Sequence, residues 1–330
     1  GANGGANSSQ HRKKNQQQSR KQQQLQNQRN QKTKNVGSTT VDATVVMDPV
    51  KLQKRFLLAF IRLHGILFTR ISMEKIPAIQ QQALKDFRVL FSRNDQQQSH
   101  LKSLMLKLTI MLIFTIENSR KQPQANLAVQ QQAPNSTGAS IGATNTYFQH
   151  ALAMSCDFIG QLVLISASRN GSSTSLRYLD SITLFVKYMD QKKELFQEPV
   201  ATAFVQNFIE FLQVVSASRS DFRPSKVQGA QQTSAVCLPE DVEISGFANV
   251  QGFVDWASKD KISDVTPELA LKTRLSRLSA IVSNFLIDDS VPIYFDYSNN
   301  IFTMVNVGAP DHELSQEMGG ADHHEEGEQQ

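Results

Sequence analysis

The strongest constraint on this chain is the spacing of its apolar residues. After Asp48-Pro49, an N-cap followed by a first-turn proline, apolar side chains fall at Leu52, Phe56, Phe60, Leu63 and Leu67, in steps of four, four, three and four. That spacing places all five on one face of a helix and on no single face of a strand. The pattern recurs. A second helix is predicted from about Pro77, with Ile79, Ala83, Phe87, Leu90 and Phe91 on one side, closing in the polar run Arg93-Asn94-Asp95. A third spans about Ser99 to Asn118 and is apolar nearly all round, since Ile110 and Ile113 join Leu101, Leu104, Met105, Leu108, Met111 and Leu112; it is expected to be buried between neighbours.

Residues 119 to 145 hold Pro123, Pro134, Gly138 and Gly142 among glutamines and read as an expanded loop. Three more helices follow at about 146 to 167 (Phe148, Leu152, Cys156, Ile159, Val163), 174 to 194 (Leu176, Leu179, Ile182, Phe185, Met189) and 198 to 216 (Phe204, Phe208, Phe211, Val215). The segment Leu238 to Phe247 reads as too short for a helix of its own. A last helix is predicted from Thr266, an N-cap ahead of Pro267, through Leu271, Leu275, Leu278, Val282 and Phe285. The period then changes to two, so Ile293 to Tyr297 and Ile301 to Val305, joined by Ser298-Asn299-Asn300, predict a β-hairpin. The fold class expected is all-α, an array of antiparallel helical hairpins of α-α superhelical type with a short terminal β-hairpin.

Charge divides the chain further. The net +4 conceals +7 in residues 1 to 46 and −7 in residues 308 to 330. Neither stretch has enough apolar side chains to offset the entropy of ordering, so both are expected to be disordered, the first a basic Gln-rich arm and the second an acidic linker. The domain layout expected is therefore an arm at 1–46, one helical scaffold at 47–307 with a disordered loop at 119–145, and the linker at 308–330. The chain opens at Gly1 without methionine and is expected to be an internal piece of a longer protein.

Two cysteines, Cys156 and Cys237, with no CxxC pair, make neither a disulfide framework nor a structural zinc site and suit a reducing setting, cytoplasmic or nuclear. In such a setting the Asn-x-Ser/Thr matches at Asn135 and Asn170 are chance occurrences. Lys102, Lys107, Thr109 and Thr115 interrupt the greasiest stretch, so no uninterrupted apolar run of about 18 residues exists and no membrane role is expected.

The sequence carries few residues in patterns that do chemistry. Phosphate-binding glycine loops, nucleophile elbows and HExxH are all missing from the sequence. His64-Gly65 is the most conspicuous polar insertion in an apolar segment; the expectation is a packed or interface histidine beside a glycine that admits a neighbouring helix. His323-His324, flanked by acids, lacks preorganised geometry for a metal. Asp255, Asp260, Asp264, Asp288 and Asp289 are read as caps and solvated surface rather than a two-metal cluster. Trp256 is read as a loop anchor. The basic arm can meet RNA phosphates through counterion release, but it has no aromatics on which bases could stack. No catalytic, cofactor-binding or metal residue, and no cofactor, is assigned.

Particular strings say more. Phe56 to Pro77, Ala83 to Phe91, Leu104 to Asn118, Leu238 to Phe247 and the closing helix with its hairpin to Val305 resemble, in order, the helical-hairpin domain of the Est/Smg family of nonsense-mediated mRNA decay factors. The resemblance spans about residues 50 to 307. His64 to Thr69 and Ala309 to Gly320 with the acids behind them look most like the Smg-six branch, a telomerase-binding decay endonuclease. The resemblance implies a scaffold without a catalytic centre of its own. In the family a tetratricopeptide domain similar to fourteen-three-three proteins precedes this region and binds phosphoserine on the Upf-one helicase, and in the endonuclease branch a PIN nuclease domain follows. The implied partners are decay-complex proteins such as phosphorylated Upf-one, engaged through the full-length protein, and RNA or telomeric nucleic acid, since the region is also described in the family as a DNA- or RNA-binding domain. None of the family's phosphopeptide or nuclease residues has a counterpart position here.

Overall fold

The computed structural model describes residues 48–92, 98–130, 141–167, 176–220, 222–224, 236–247 and 265–305. Among them are eight α-helices and one two-stranded antiparallel sheet, so the chain is all-α with a terminal β-hairpin. The helices are α1 (Pro49–Thr69), α2 (Ile76–Phe91), α3 (Gln98–Gln130), α4 (Ile141–Ala167), α5 (Leu179–Gln191), α6 (Thr202–Ser218), α7 (Pro239–Ser245) and α8 (Pro267–Ile287); the strands are β1 (Ile293–Asp296) and β2 (Ile301–Met304).

The periodic faces become the core. Leu52, Phe56, Phe60, Leu63 and Leu67 of α1 are all buried. Phe56 packs its ring against Phe87 and Phe91 of α2 and Phe158 of α4, with centroids 5.7 to 6.2 Å apart, in the tilted and edge-on arrangements that aromatic quadrupoles favour. Tyr178 closes this cluster, its ring edge-on to Phe91 and its hydroxyl donating to the Phe91 carbonyl at 3.2 Å. Below it, Phe185 of α5 stands edge-on to Phe204 of α6, which stacks in turn towards Phe208.

Helix α4 is the common neighbour. It packs against α1, α2, α3, α5 and α6, most extensively against α6. Gly160 lies at that pairing: a Cβ there would sit 3.1 Å from the side-chain Nδ2 of Asn207, which would have to shift slightly, and 3.9 Å from the Phe204 Cα.

Helix α1 ends where Arg70 and Ser72 take positive φ, at 60° and 64°, turning the chain through a short 3₁₀ turn into α2. The Arg70 guanidinium lies 4.5 Å from the Tyr147 ring centroid, which ties this turn to α4. Behind it, Arg55 grips the buried Asp86 carboxylate of α2 with two hydrogen bonds of 2.7 and 2.5 Å.

Three expectations are corrected. First, residues 119 to 145 are not one loop. Helix α3 continues to Gln130 and α4 begins at Ile141, because a helix already nucleated propagates through good helix formers such as Gln, Ala and Leu. Second, Leu238 to Phe247 does contain a helix, α7. The Leu238 amide donates to the Asp241 carboxylate at 2.7 Å, capping the first turn, and Asp241 is itself held by the Arg277 fork at 2.7 and 2.8 Å. Third, the interruptions in the greasy stretches do not remove their membrane-like character. Segments 99–121, 146–167 and 199–218 are each long and apolar enough to cross a membrane by length and composition, with half or more of each buried inside the fold. Those segments belong to α3, α4 and α6, whose apolar sides lie largely on one another.

The Thr266 cap stands as expected, its hydroxyl accepting from the Leu269 amide at 3.3 Å. So does the hairpin, in the register Ile293 with Met304 and Phe295 with Phe302, with buried Phe295 and Phe302 rings 4.4 Å apart. Asn300, at φ 57°, and the Asp296 carboxylate, which accepts from the Ser298 and Asn299 amides, shape its turn.

Candidate functional site

One side of α1 feeds the aromatic core; the other side is not ordinary solvent-facing surface. Ile61 (59% exposed) and Phe68 (63% exposed) lie one and two turns along that outer side, and across from them α3 presents Met111 (39%) and Phe114 (43%). With His64, Gly65, Thr115 and Asn118 they line a groove of about 310 Å³. Helix α3 was expected to be buried all round, and Met111 and Phe114 are the residues that depart from that expectation.

His64 forms the floor. Its Nδ1 lies 2.8 Å from the Phe60 carbonyl, which can only accept, so Nδ1 carries the proton and Nε2 is an acceptor. Nε2 is buried without a hydrogen-bond partner, and the imidazole lies 4.2 Å from the Phe60 ring, centroid to centroid. Burial pushes its pKa below the ordinary histidine value, against the weaker pull of the Phe60 carbonyl, so the floor is uncharged at neutral pH. The histidine is packed, as expected. Gly65 is a correction: it is exposed and a Cβ there would meet nothing within 4 Å, so it leaves a depression in the groove instead of admitting a helix. The glycine that faces a neighbouring helix is Gly160, against Asn207 of α6.

The rim is basic. Helix α1 contains Lys51, Lys54, Arg55 and Arg62 and not one acid. Arg55 is committed to Asp86, while Lys51, Lys54 and Arg62 are exposed and in no ion pair with the described residues. A sequence signal for this surface exists: Leu58, Ile61 and Phe68 fall out of phase with the core stripe, and Leu58 is 70% exposed.

The acids at the end of α8 are held in local contacts. Asp288 is engaged by the Lys193 ammonium at 2.5 Å and by the Ser290 hydroxyl and amide, contacts that hold its pKa down at about 2. Asp289 is exposed beside it. Among the described residues no three His, Cys, Asp or Glu side chains are gathered as a metal site. Asp255, Trp256, Asp260, Asp264, His323, His324, Asn135, Asn170 and the arm of residues 1–46 lie outside the described residues. Cys156 and Cys237 are both free and buried, and burial with the nearby Asp157 drives the Cys156 thiol far above its ordinary range, which makes it a packing residue.

The described residues thus form a helical array that carries an apolar groove beside a basic helix and closes on a β-hairpin. The family model described as Est1 DNA/RNA binding domain matches residues 7–252, and the chain belongs to that family. The match starts upstream of the resemblance read from the sequence and stops short of α8 and the hairpin. Among curated proteins, the telomerase-binding protein EST1A of Danio rerio is 34% identical over 86 residues, covering 25% of this chain and 5% of the fish protein. The nonsense-mediated mRNA decay factor SMG7 of Arabidopsis thaliana is 23% identical over 302 residues, covering 79% of this chain and 27% of the plant protein. The chain thus spans well under a third of either relative.

Proposed function

We propose that this chain is a non-catalytic scaffold and interaction region of a nonsense-mediated mRNA decay factor, coupling a phosphopeptide-binding domain on one side to a PIN endonuclease domain on the other. It works in cytoplasm and nucleus, meeting decay-complex proteins such as the phosphorylated Upf-one helicase through its parent protein. The supporting observation is the α1–α3 groove, an exposed apolar surface on a rigid helical body with no gathered carboxylates among the described residues. A second reading, an RNA- or DNA-binding module in decay or telomerase action, is favoured by one observation: Lys51, Lys54 and Arg62 point into solvent from a helix without acids.

A salt titration with a single-stranded RNA separates the two. Three phosphate contacts would give a log K against log salt slope of about −2, whereas a protein scaffold gives weak binding at all salts. A purified chain that cleaves RNA with manganese, and loses that activity when Asp288 and Asp289 are mutated together, would overturn both readings.

A further inference from the structure

We propose that the α1–α3 groove is the seat of an acidic amphipathic helix supplied by a partner protein, with its apolar side in the groove and its carboxylates against the α1 cations. The proposal rests on the scaffold reading and gives that scaffold a specific ligand chemistry.

Shape comes first. Two helices side by side leave between them a trough that a third helix fills, and such a helix is read through anchors at i, i+3 or i+4, and i+7. Ile61 and Phe68 are seven residues apart, a rise of about 10 Å, so the groove accommodates roughly two turns of a partner. Between them Gly65 contributes no side chain, and the open space above it suits one bulky apolar anchor. Phe114 and Met111 form the far wall and the uncharged His64 ring the floor, so nothing inside the groove asks for a charged occupant.

Charge comes second and chooses the class of partner. Opposite-signed rims steer and register an encounter, and like-signed rims exclude it. On α1, Arg62 follows Ile61 directly and Lys54 and Lys51 lie about two and three turns before it, beyond that end of the groove, with no acid in the whole helix to neutralise them. A helix flanked by Asp and Glu is matched there, and one flanked by Lys and Arg is refused. Single-stranded RNA would also be drawn to the cations. Phe68 and Phe114 can also stack bases, but they share the groove with the aliphatic Ile61, Leu67 and Met111, which match the apolar side of a protein helix and not a base, so RNA binding is the competing outcome of the test.

The test uses the full chain and a labelled model peptide of about 14 residues with Leu in helical register and Glu elsewhere, beside its twin with every Glu replaced by Lys. The acidic peptide is expected to bind and the basic twin to bind at least roughly tenfold more weakly. Gly65→Leu, which fills the depression in open space and favours the helix, should weaken the acidic peptide by a similar factor with an unchanged or higher Tm. Arg62→Glu should weaken the acidic peptide and strengthen the basic twin, a charge-swap rescue that misfolding cannot mimic. Equal binding of both peptides, binding indifferent to Gly65→Leu, a single-stranded RNA that alone binds in a Gly65-dependent way, or self-association abolished by Gly65→Leu would each overturn the proposal. If the peptide fails while the chain remains without nuclease activity and without a steep salt slope on RNA, only the groove assignment falls and the scaffold reading stands.

Discussion

Phe60 and Leu108 are both buried to within 2% of complete, Phe60 against the Phe158 ring and Leu108 in the interior of α3. Truncating either leaves a hole that rigid neighbours cannot close, so Phe60→Ala and Leu108→Ala are expected to cost about 2 to 5 kcal/mol each in urea unfolding. Two titrating residues act on stability with opposite signs. His64 is held below its ordinary value of 6.5, so it contributes stability above that pH, and the contribution is lost as the pH falls through the unfolded-state value and the buried ring resists its proton. Asp180, at the start of α5, is pushed up to about 6, first by burial and then by Glu240. Its contribution is present below its ordinary value of 3.8 and disappears as the pH rises through about 6. Unfolding curves across pH 4 to 8 should therefore show His64→Gln flattening the rise towards neutral pH and Asp180→Asn removing a fall between about 4 and 6. If both variants follow the wild-type curve, these side chains are solvated in the native protein.

At the scale of elements, periodicity made most of the helices legible and its limits explain the misses. Phe204, Phe208, Phe211 and Val215 repeat often enough to mark α6 without any tertiary knowledge. Helix α7 has seven residues, less than two full turns, and its stability is non-local: Arg274 forks onto Glu240 and Arg277 onto Asp241 from α8, more than thirty residues away. No local pattern encodes such a clasp. Asp241 and Arg277 are both buried, so removing one partner strands the other's charge; Arg277→Leu is expected to cost about 3 to 5 kcal/mol and to release α7, seen as lost hydrogen-exchange protection at Asp241 to Ser245. The groove was half legible. His64 stood out in the sequence, but whether Gly65 or Gly160 admits a neighbour depends on how helices cross, which spacing along one helix does not report.

For the whole molecule, the described residues from Pro49 to Val305 gather into one unit in which α4 touches five other helices. Helices that share one buried neighbour cannot melt apart without exposing it, so α1 to α3, α5 and α6, with α8 packed on α5, are expected to unfold in a single transition. Calorimetry checks this: equal calorimetric and van't Hoff enthalpies support one unit, and two resolved peaks would show that α4 does not couple the halves.

The position of α4 has a consequence for how the chain can be divided. Its most extensive partner, α6, lies beyond residues 168–175. The two sides of that connection are therefore joined by a large complementary surface as well as by a peptide. Expressed as separate pieces ending at Ala167 and starting at Leu176, they hold matching halves of one interface, and reassembly from two genes is a capacity this architecture carries.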